Sequence, residues 1–389
     1  MKRQYLRDIA DIQTGPFGSQ LHKEDYVDVG TPIVTVEHLG NRIFTEQNLP
    51  RVSDEDKMRL SKYILAEGDM VFSRVGSVDR CSYVDAAHDG WMFSGRCLRV
   101  RPNSEIDPLF LYYFFCLEET KQFVRNIAVG ATMPSINTKL LGEVEVIYPS
   151  LTDQQKIVAM LSALDNRIEV NQRINDNLQQ QAHSLFEQRF VWSGLDGEEK
   201  PLYDFADYIN GAAFKPSECG DHGLPIIKIA ELKNGITDST RYFDGFKGEK
   251  YLIRDKDILF SWSGNPDTSI DIFLWTHGDA ILNQHTFNVK SYTGHRWFTY
   301  LLLKYFKPEF SRIASNKQTT GLGHVTASDL KRLTFNYNKA AIEAFEDEIS
   351  PLMNMVYNNM IENLRLAQLR DCLLPKLMSG ELDVSTIQL

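Results

Sequence analysis

Few residues of this sequence have the types and spacing that catalysis requires. Its nine histidines include no H-E-x-x-H or similar spacing that could hold a metal ion. Neither G-x-x-x-x-G-K-S/T nor a strand-associated G-x-G-x-x-G occurs, so no phosphate-binding loop of those types is predicted. The Asn265-Pro266-Asp267 tripeptide lacks the second proline and the aromatic residue that would hold an extruded base. The sequence therefore predicts a chain without a catalytic site or a metal site.

The charged residues include a local excess of cations that could contact phosphate groups. The whole chain has 42 basic and 52 acidic residues, a net charge of −10, which disfavours nucleic acid if the charge is evenly spread. Residues 290–339, however, hold nine basic residues against two acidic ones, a net charge of +7. A local field of this kind is hidden in the overall sum. The stretch is either a phosphate-binding face or an ordinary solvated surface, and both readings stay open.

Composition predicts a cytoplasmic chain without a membrane partner. Hydrophobic residues make up 43% and charged residues 24%, as in globular proteins. The longest apolar run, residues 109–117, is far shorter than the roughly 20 residues of a membrane span. The N-terminus has no apolar secretion signal. The five cysteines form no C-x-x-C pair, which fits a reducing compartment.

The two halves of the chain repeat each other. The segment Tyr63–Asp79 returns as Tyr251–Asp267, 188 residues later, and other matches occur in order at nearly the same spacing. In each half, short β-branched and aromatic runs broken by Gly, Pro and Asn alternate with helical segments. We therefore predict two similar domains of mixed strands and helices, residues 1–150 and residues 202–339.

A long helix is predicted after each domain, over residues 151–192 and residues 340–380. In both segments apolar residues recur at alternating spacings of four and three, the seam of a coiled coil. Two asparagines occupy the centre of each seam: Asn171 and Asn175, then Asn359 and Asn363. A buried asparagine fixes register, because a slip would leave its amide unpaired. We predict that the helices pair antiparallel, with Asn171 beside Asn363 and Asn175 beside Asn359; the alternative is a surface helix packed on its own domain.

Local signals predict how the helices begin and end. Thr152 and Gln155 have the spacing of a capping box at the start of the first helix. Pro351 should either kink the second helix or begin a new one with Ser350 as its N-cap. Residues 193–201, rich in Gly and charge, are predicted to be a linker, and residues 381–389 a C-terminal tail.

Two globular regions, each followed by a near-copy of one long helix, resemble the DNA specificity subunit of type I restriction–modification systems. The resemblance covers essentially the whole chain and is most specific at Thr152–Gln172 and Leu364–Leu382. Phe72–Ser77 and Phe260–Asn265 also resemble signatures of the target-recognition domains of that family. The resemblance implies an α+β fold. Two similar mixed α/β target-recognition domains would be separated by two long antiparallel coiled-coil helices, with pseudo-two-fold symmetry.

The resemblance also implies a DNA-binding subunit that is not itself an enzyme. In that family each globular domain reads one half of a bipartite, asymmetric site in double-stranded DNA. The helices set the spacer between the half-sites and dock two methyltransferase (modification) subunits, and a motor-nuclease (restriction) subunit can join. Because the partners use S-adenosylmethionine to methylate adenine, no cofactor is expected in this chain. Two alternatives stay open: the specificity chain of another restriction class, and a pseudo-symmetric protein-binding scaffold.

Candidate DNA contacts are polar residues in loops that a sheet would hold. Arg bonds guanine, Asn and Gln bond adenine, and Ser, Thr, Lys and His serve at base edges and phosphates. Ser94–Arg96 departs from the aligned Asn283–His285, so no contact is assigned to Ser94 or Gly95. Trp262 aligns with Arg74 and has packing inside the domain as its alternative role. The candidates are Ser19, Gln20, His22, Lys23, Arg74, Ser77, Arg80, Thr132, Ser135, Asn137 and Lys139 in the first domain, and Lys215, Trp262, Asn265, Gln284, His285, Lys317, Gln318, Thr319, Thr320 and His324 in the second.

Overall fold

The computed structural model describes residues 1–16, 18, 20–292, 294–318 and 322–385. The chain divides into two compact units, Met1–Asn166 with Leu366–Leu389, and Arg167–Arg365. Each unit therefore contains one globular domain together with a segment of each long helix. The functional boundaries inferred from the sequence stay predictions.

The first domain contains two four-stranded sheets. Its strands are β1 (Lys2–Tyr5), β2 (Ala10–Thr14), β3 (Tyr26–Val27), β4 (Thr31–Val34), β5 (Arg51–Val52), β6 (Met70–Ser73), β7 (Cys81–Tyr83), β8 (Met92–Phe93), β9 (Cys97–Pro102) and β10 (Glu145–Tyr148). Its helices are α1 (Leu6–Ile9), α2 (Asp54–Arg59), α3 (Pro108–Cys116), α4 (Glu118–Ile127) and α5 (Thr138–Gly142). The strand orders are β2-β9-β6-β7, which is antiparallel throughout, and β3-β5-β4-β8, while β1 pairs with β10.

The second domain repeats this plan. The long helix α6 (Leu151–Phe190) leads to β11 (Glu198–Pro201), β12 (Ala206–Asn210), β13 (Leu224–Ile227), β14 (Tyr242–Phe243), β15 (Leu252–Ile253), β16 (Ile258–Ser261), β17 (Ser263–Gly264), β18 (Asp271–Leu274), β19 (Ala280–Leu282), β20 (Thr286–Ser291), β21 (Gly323–His324) and β22 (Thr334–Tyr337). The helices are α7 (Ile229–Asn234), α8 (Arg296–Tyr305), α9 (Lys307–Asn316), α10 (Ala327–Arg332) and the second long helix, α11 (Lys339–Ser379). The antiparallel sheet β12-β20-β16-β18 matches β2-β9-β6-β7, and a second sheet has the order β14-β13-β19-β15.

Equivalent aromatic residues fill the two cores. Phe72 of β6 and Phe110 of α3 are fully buried in the first domain, and Phe260 and Phe298 occupy the corresponding positions in the second. Strands β6 and β16 and helices α3 and α8 thus pack through phenylalanine at matching positions of the two domains. No helix of the described chain is long and apolar enough to span a bilayer.

The long helices pair antiparallel within each unit. In the second unit, Asn171 Nδ2 donates to Asn363 Oδ1 over 2.9 Å, and Asn359 Nδ2 donates to Asn175 Oδ1 over 2.9 Å. Asn171 and Asn175 are buried, as a seam position requires. The pairing of these asparagines predicted from the sequence is therefore confirmed. Their function in fixing the register remains a proposal.

Two predictions about where the long helices begin need correction. Thr152 is not the N-cap of α6, because it already lies inside the helix, and Ser150 Oγ accepts a hydrogen bond from the Asp153 N–H over 3.3 Å and acts as the cap. A new helix start at Ser350 is also wrong, since α11 runs through Pro351 without a break. A proline removes one backbone donor, and the buried seam on both sides of it keeps the helix continuous.

Candidate nucleic-acid interface

Three segments of the first domain meet where strands β6 and β9 reach the same edge of their sheet. The Arg74 N–H donates to the Arg96 carbonyl over 2.8 Å, and the Ile136 N–H donates to the Arg74 carbonyl over 2.9 Å. The Gly76 N–H adds a hydrogen bond of 2.8 Å to the Pro134 carbonyl. We call these segments, residues 74–77, 94–96 and 129–137, the first loop cluster.

The second domain assembles the corresponding segments in the same way. The Val325 N–H donates to the Trp262 carbonyl over 2.8 Å, the counterpart of the bond between Ile136 and Arg74. Strands β17 and β21 pair with Ser263 opposite His324. The rings of Trp262 and His285 lie with their centroids 5.8 Å apart. We call residues 262–265, 283–286 and 322–325 the second loop cluster.

Ten predicted contact residues belong to these clusters. They are Arg74, Ser77, Thr132, Ser135 and Asn137 in the first, and Trp262, Asn265, Gln284, His285 and His324 in the second. Ser77, Thr132, Gln284, His285 and His324 are exposed, so their donors and acceptors are accessible to a ligand. Each cluster thus presents hydrogen-bonding side chains on loops fixed by backbone hydrogen bonds, the construction that base readout requires.

The other predicted contacts lie elsewhere or outside the described residues. Ser19, Thr319, Thr320 and the Lys23 side chain are outside the part that the structure describes. Gln20 lies beside α2: Tyr63 Oη donates to Gln20 Oε1 over 2.6 Å, and Arg59 donates to the Gln20 carbonyl over 2.9 Å. Its amide oxygen therefore already has a partner in the domain. His22, Arg80, Lys139, Lys215 and Gln318 are exposed but are not part of either cluster.

Two predicted asparagines hold the local backbone. Asn137 is the N-cap of α5, because its Oδ1 accepts from the Leu140 N–H over 2.9 Å. Asn265 Oδ1 accepts from the Asp267 and Thr268 N–H groups over 3.0 and 3.1 Å, which closes a turn. These oxygens already have partners, so any base contact would come from the side-chain amide nitrogens.

Trp262 packs inside the second domain, which was the alternative to a DNA contact. Its Nε1 donates to Asn210 Oδ1 over 3.0 Å, and its ring centroid lies 5.6 Å from that of Phe287. The side chain is half-buried against the core of the second domain. We therefore assign Trp262 to supporting the cluster, and Gln284 and His285 to its accessible surface.

Six of the nine basic residues in the stretch 290–339 bond carboxylates. Lys304 and Lys307 bond the two oxygens of Asp271 over 2.8 and 2.7 Å. Burial alone would raise the pKa of Asp271, but the two ammonium groups outweigh it and hold that pKa below its ordinary value. Lys317, predicted as a DNA contact, bonds Asp329 over 2.6 Å. Lys290, Arg312 and Lys339 also have carboxylate partners, so the structure favours the solvated-surface reading.

Sequence reasoning missed Arg96. Its side chain is exposed in the first loop cluster, and no described residue pairs with its guanidinium, whereas its carbonyl accepts from Arg74. An arginine so placed can present two donors to a guanine edge. The alignment of Arg96 with His285, itself a predicted contact, was the signal that could have identified it.

The described residues of the two loop clusters offer hydrogen-bonding side chains. The part of the chain that the structure describes contains no group of three His, Cys, Asp or Glu side chains placed to hold a metal ion. Among the cysteines, burial raises the pKa of the Cys97 thiol to about 12, which keeps it protonated and a poor nucleophile. The arrangement is suited to recognition.

Comparison with known proteins decides the family. The family model described as the type I restriction modification DNA specificity domain matches residues 2–180 and 195–343. The chain belongs to this family. The two matched ranges correspond to the two similar halves of the chain. The specificity domain family is non-catalytic, in agreement with the absence of catalytic motifs from the sequence.

Relatives of the specificity subunit family match the chain over most of its length. The Type I restriction enzyme MjaIX specificity subunit of Methanocaldococcus jannaschii is 24% identical over 415 residues, which cover 98% of this chain and 93% of the relative. The HindI specificity subunit of Haemophilus influenzae is 23% identical, covering 83% and 88%. The crystal structure of a type I system S subunit from M. genitalium covers 97% of this chain and 95% of its own, with 16% identity and a TM-score of 0.55. The predicted α+β fold is thereby confirmed.

Proposed function

We propose that this chain is the non-catalytic DNA specificity subunit of a type I restriction–modification complex, and that each domain reads one half of a bipartite target. The observation that carries the proposal is a pair of loop clusters with one construction and different side chains. The first presents Arg96, beside a half-buried Arg74 whose Nη1 donates to the Gly95 carbonyl over 3.1 Å, and the second presents Gln284 and His285. Because arginine and glutamine prefer different bases, the two half-sites would differ, which makes the target asymmetric.

The long helices support the proposed assembly with partner subunits. They would keep the two domains in register through the asparagine pairs, and so set the spacer between the half-sites. Val170 and Ile174 of α6 are exposed apolar side chains one helical turn apart, which suits burial against another protein. The proposed partners are two methyltransferase subunits that use S-adenosylmethionine on adenine, and a motor-nuclease subunit. A complex of this kind acts on genomic DNA in the cytoplasm.

The test is the pattern of methylated adenines in a genome. We expect cells that express the chain with its methyltransferase subunit to methylate one bipartite motif with two unlike halves. The methyltransferase subunit alone is the control and should leave that motif unmodified. A protein-binding scaffold would yield no sequence-specific methylation. Methyl transfer by the chain alone would reveal an enzyme, and assembly with catalytic subunits of a different kind would indicate another restriction class.

Replacement of Gln284 by alanine is expected to relax the preference at one or two base pairs of a single half-site. The loss of a bidentate amide contact should cost about 1–3 kcal/mol of discrimination there. The measurement is competition binding with duplexes changed at one position at a time. Gln47→Ala is the control, because Gln47 is an exposed glutamine outside the loop clusters. An equal loss of affinity for every duplex would show that Gln284 contacts the DNA backbone instead.

A further inference from the structure

Both loop clusters contain large apolar side chains that solvent reaches: Val129 (63% exposed) and Met133 in the first, and Leu322 in the second, of which only Met133 and Leu322 correspond between the domains. Met133 in the first cluster is 66% exposed, and Leu322 in the second is 59% exposed. Met133 lies three residues before Ile136, and Leu322 lies three residues before Val325. Ile136 and Val325 are buried, and their N–H groups donate to the carbonyls of Arg74 and Trp262, which directly follow strands β6 and β16. The two residues therefore occupy equivalent places along the chain in the two domains.

The loop that carries Met133 is closed by backbone hydrogen bonds. Val129 and Ser135 exchange two backbone hydrogen bonds, of 2.9 and 2.8 Å. Gly130 has a φ of +109°, and a Cβ atom there would lie 2.7 Å from the Met133 carbonyl oxygen, so the tight turn requires glycine. The exposed position of Met133 is thus imposed by the backbone of the loop.

Single exposed apolar residues are common on protein surfaces, so exposure alone identifies no ligand. The recurrence is the informative feature, because the two clusters otherwise differ in sequence and yet both keep a long aliphatic side chain at this position. Among the exposed large apolar side chains of the described residues, one other pair corresponds between the domains, Met58 and Phe246. Met58 belongs to α2, outside the first loop cluster.

The neighbours of Met133 point to the chemistry of its ligand. The same loop bonds the backbone at Arg74 and Gly76, so Met133 belongs to one loop cluster with the exposed Arg96 and with Arg74, whose Nη1 donates to the Gly95 carbonyl over 3.1 Å. Cations in such a cluster suit phosphates and guanine edges. An aliphatic side chain among them suits the apolar parts of the same ligand, the faces of the bases and the thymine methyl group.

We propose that Met133 and Leu322 are apolar base contacts, one in each domain, that press against a base step of the half-site while the polar side chains read its edges. The inference rests on the proposed function and deepens it. Apolar wedges of this type partly unstack a step and bend the duplex. Each domain would then also sense how readily its half-site deforms, and not only the hydrogen-bonding groups of its bases.

The test uses the complete complex with its methyltransferase subunits and a duplex that contains the methylated motif. Met133→Gln, which keeps the length of the side chain but adds a polar group, is expected to weaken binding about tenfold. It should also reduce the bend measured by energy transfer between dyes at the duplex ends. Met133→Leu should keep both properties, and Leu322→Gln should act at the other half-site.

Met58→Gln is the matched comparison, because Met58 is an exposed methionine with an apolar counterpart in the other domain. It should bind and bend DNA as the unaltered chain does. Replacement of thymine by uracil in the duplex distinguishes contact with a base step from contact with the thymine methyl group. If this replacement weakens binding as much as Met133→Gln does and leaves the bend unchanged, the thymine methyl group is the base contact. Unchanged binding by Met133→Gln, or a loss at Met58→Gln instead, would overturn the proposal. Absence of any sequence-specific binding by the unaltered complex would instead refute the proposed function itself.

Discussion

Replacement of Arg370 by alanine is expected to lower the free energy of unfolding by about 3–5 kcal/mol. Arg370 of α11 donates from Nη1 to Asp165 Oδ1 of α6 over 2.8 Å, and the Asp165 side chain is only 8% exposed. Tyr113 Oη donates to the other carboxylate oxygen over 2.6 Å. Without the guanidinium, a buried carboxylate would keep one neutral donor, which does not compensate its lost hydration.

Urea unfolding of the full chain measures this effect. Arg173→Ala is the control, because Arg173 is an exposed arginine of α6, and its replacement should change the free energy by no more than about 0.5 kcal/mol. The double variant Asp165→Leu, Arg370→Leu should recover most of the loss, since an apolar pair of similar volume avoids desolvated charge. A loss below about 1 kcal/mol for Arg370→Ala would mean that water reaches Asp165 after the change.

The Asp165–Arg370 ion pair could not be predicted from the internal repeat of the sequence. Spacing alone predicts the helix seam and its asparagine pairs, because a seam needs only apolar and amide residues at regular intervals. Asp165 lies one residue outside that seam and Tyr113 comes from α3. No periodic pattern joins three residues from three elements, so this buried network could be recognised only in the folded chain.

Other ion pairs between α6 and α11 also have no counterpart at the repeat-related positions. Arg167 Nε bonds Glu362 Oε1 over 3.0 Å, and Arg189 Nη2 bonds Glu348 Oε2 over 2.7 Å. At a spacing of 188 residues the counterparts of these four residues are all apolar: Met355, Ile174, Leu377 and Met160. A helix paired with a copy of itself would lose each of these charge pairs. The ion pairs therefore favour α6 with α11 over either helix with itself.

The loop clusters were predictable in outline and not in detail. Alignment of the halves identified the strand ends at Arg74 and Trp262, because duplicated strands must end in duplicated places. It could not separate base contacts from residues that hold the backbone, since asparagine suits both roles, as Asn137 and Asn265 illustrate. It also overstated the basic stretch, because Asp271, which pairs with Lys304, lies outside that stretch in sequence.

Exchange of residues 1–150 for the corresponding domain of another specificity subunit is expected to change one half of the methylated motif and to leave the other half unchanged. The reason is that the backbone hydrogen bonds of the first loop cluster, including those from the Ser94 N–H to the Val34 carbonyl and from the Leu141 N–H to the Asn137 carbonyl, join residues inside the exchanged segment. The strand pair β1–β10 also closes inside the exchanged segment, and α6 begins at Leu151, immediately after it. Sequencing of methylated adenines measures the outcome, and exchange of residues 202–339 is the reciprocal control.

The exchanged domain must still pack on the helix segments of its own unit. Ile157 and Leu161 of α6 and Leu374 of α11 are buried in the core of the first domain, and Tyr113 bonds Asp165. A donor domain with tyrosine at the position of Tyr113 and an apolar surface toward these side chains should therefore fold on the existing helices. If such a chimera folds and yet both halves of the motif change, the domains do not read independently. Sequence discrimination would then depend on residues that the two domains share, and the two-reader model would be wrong.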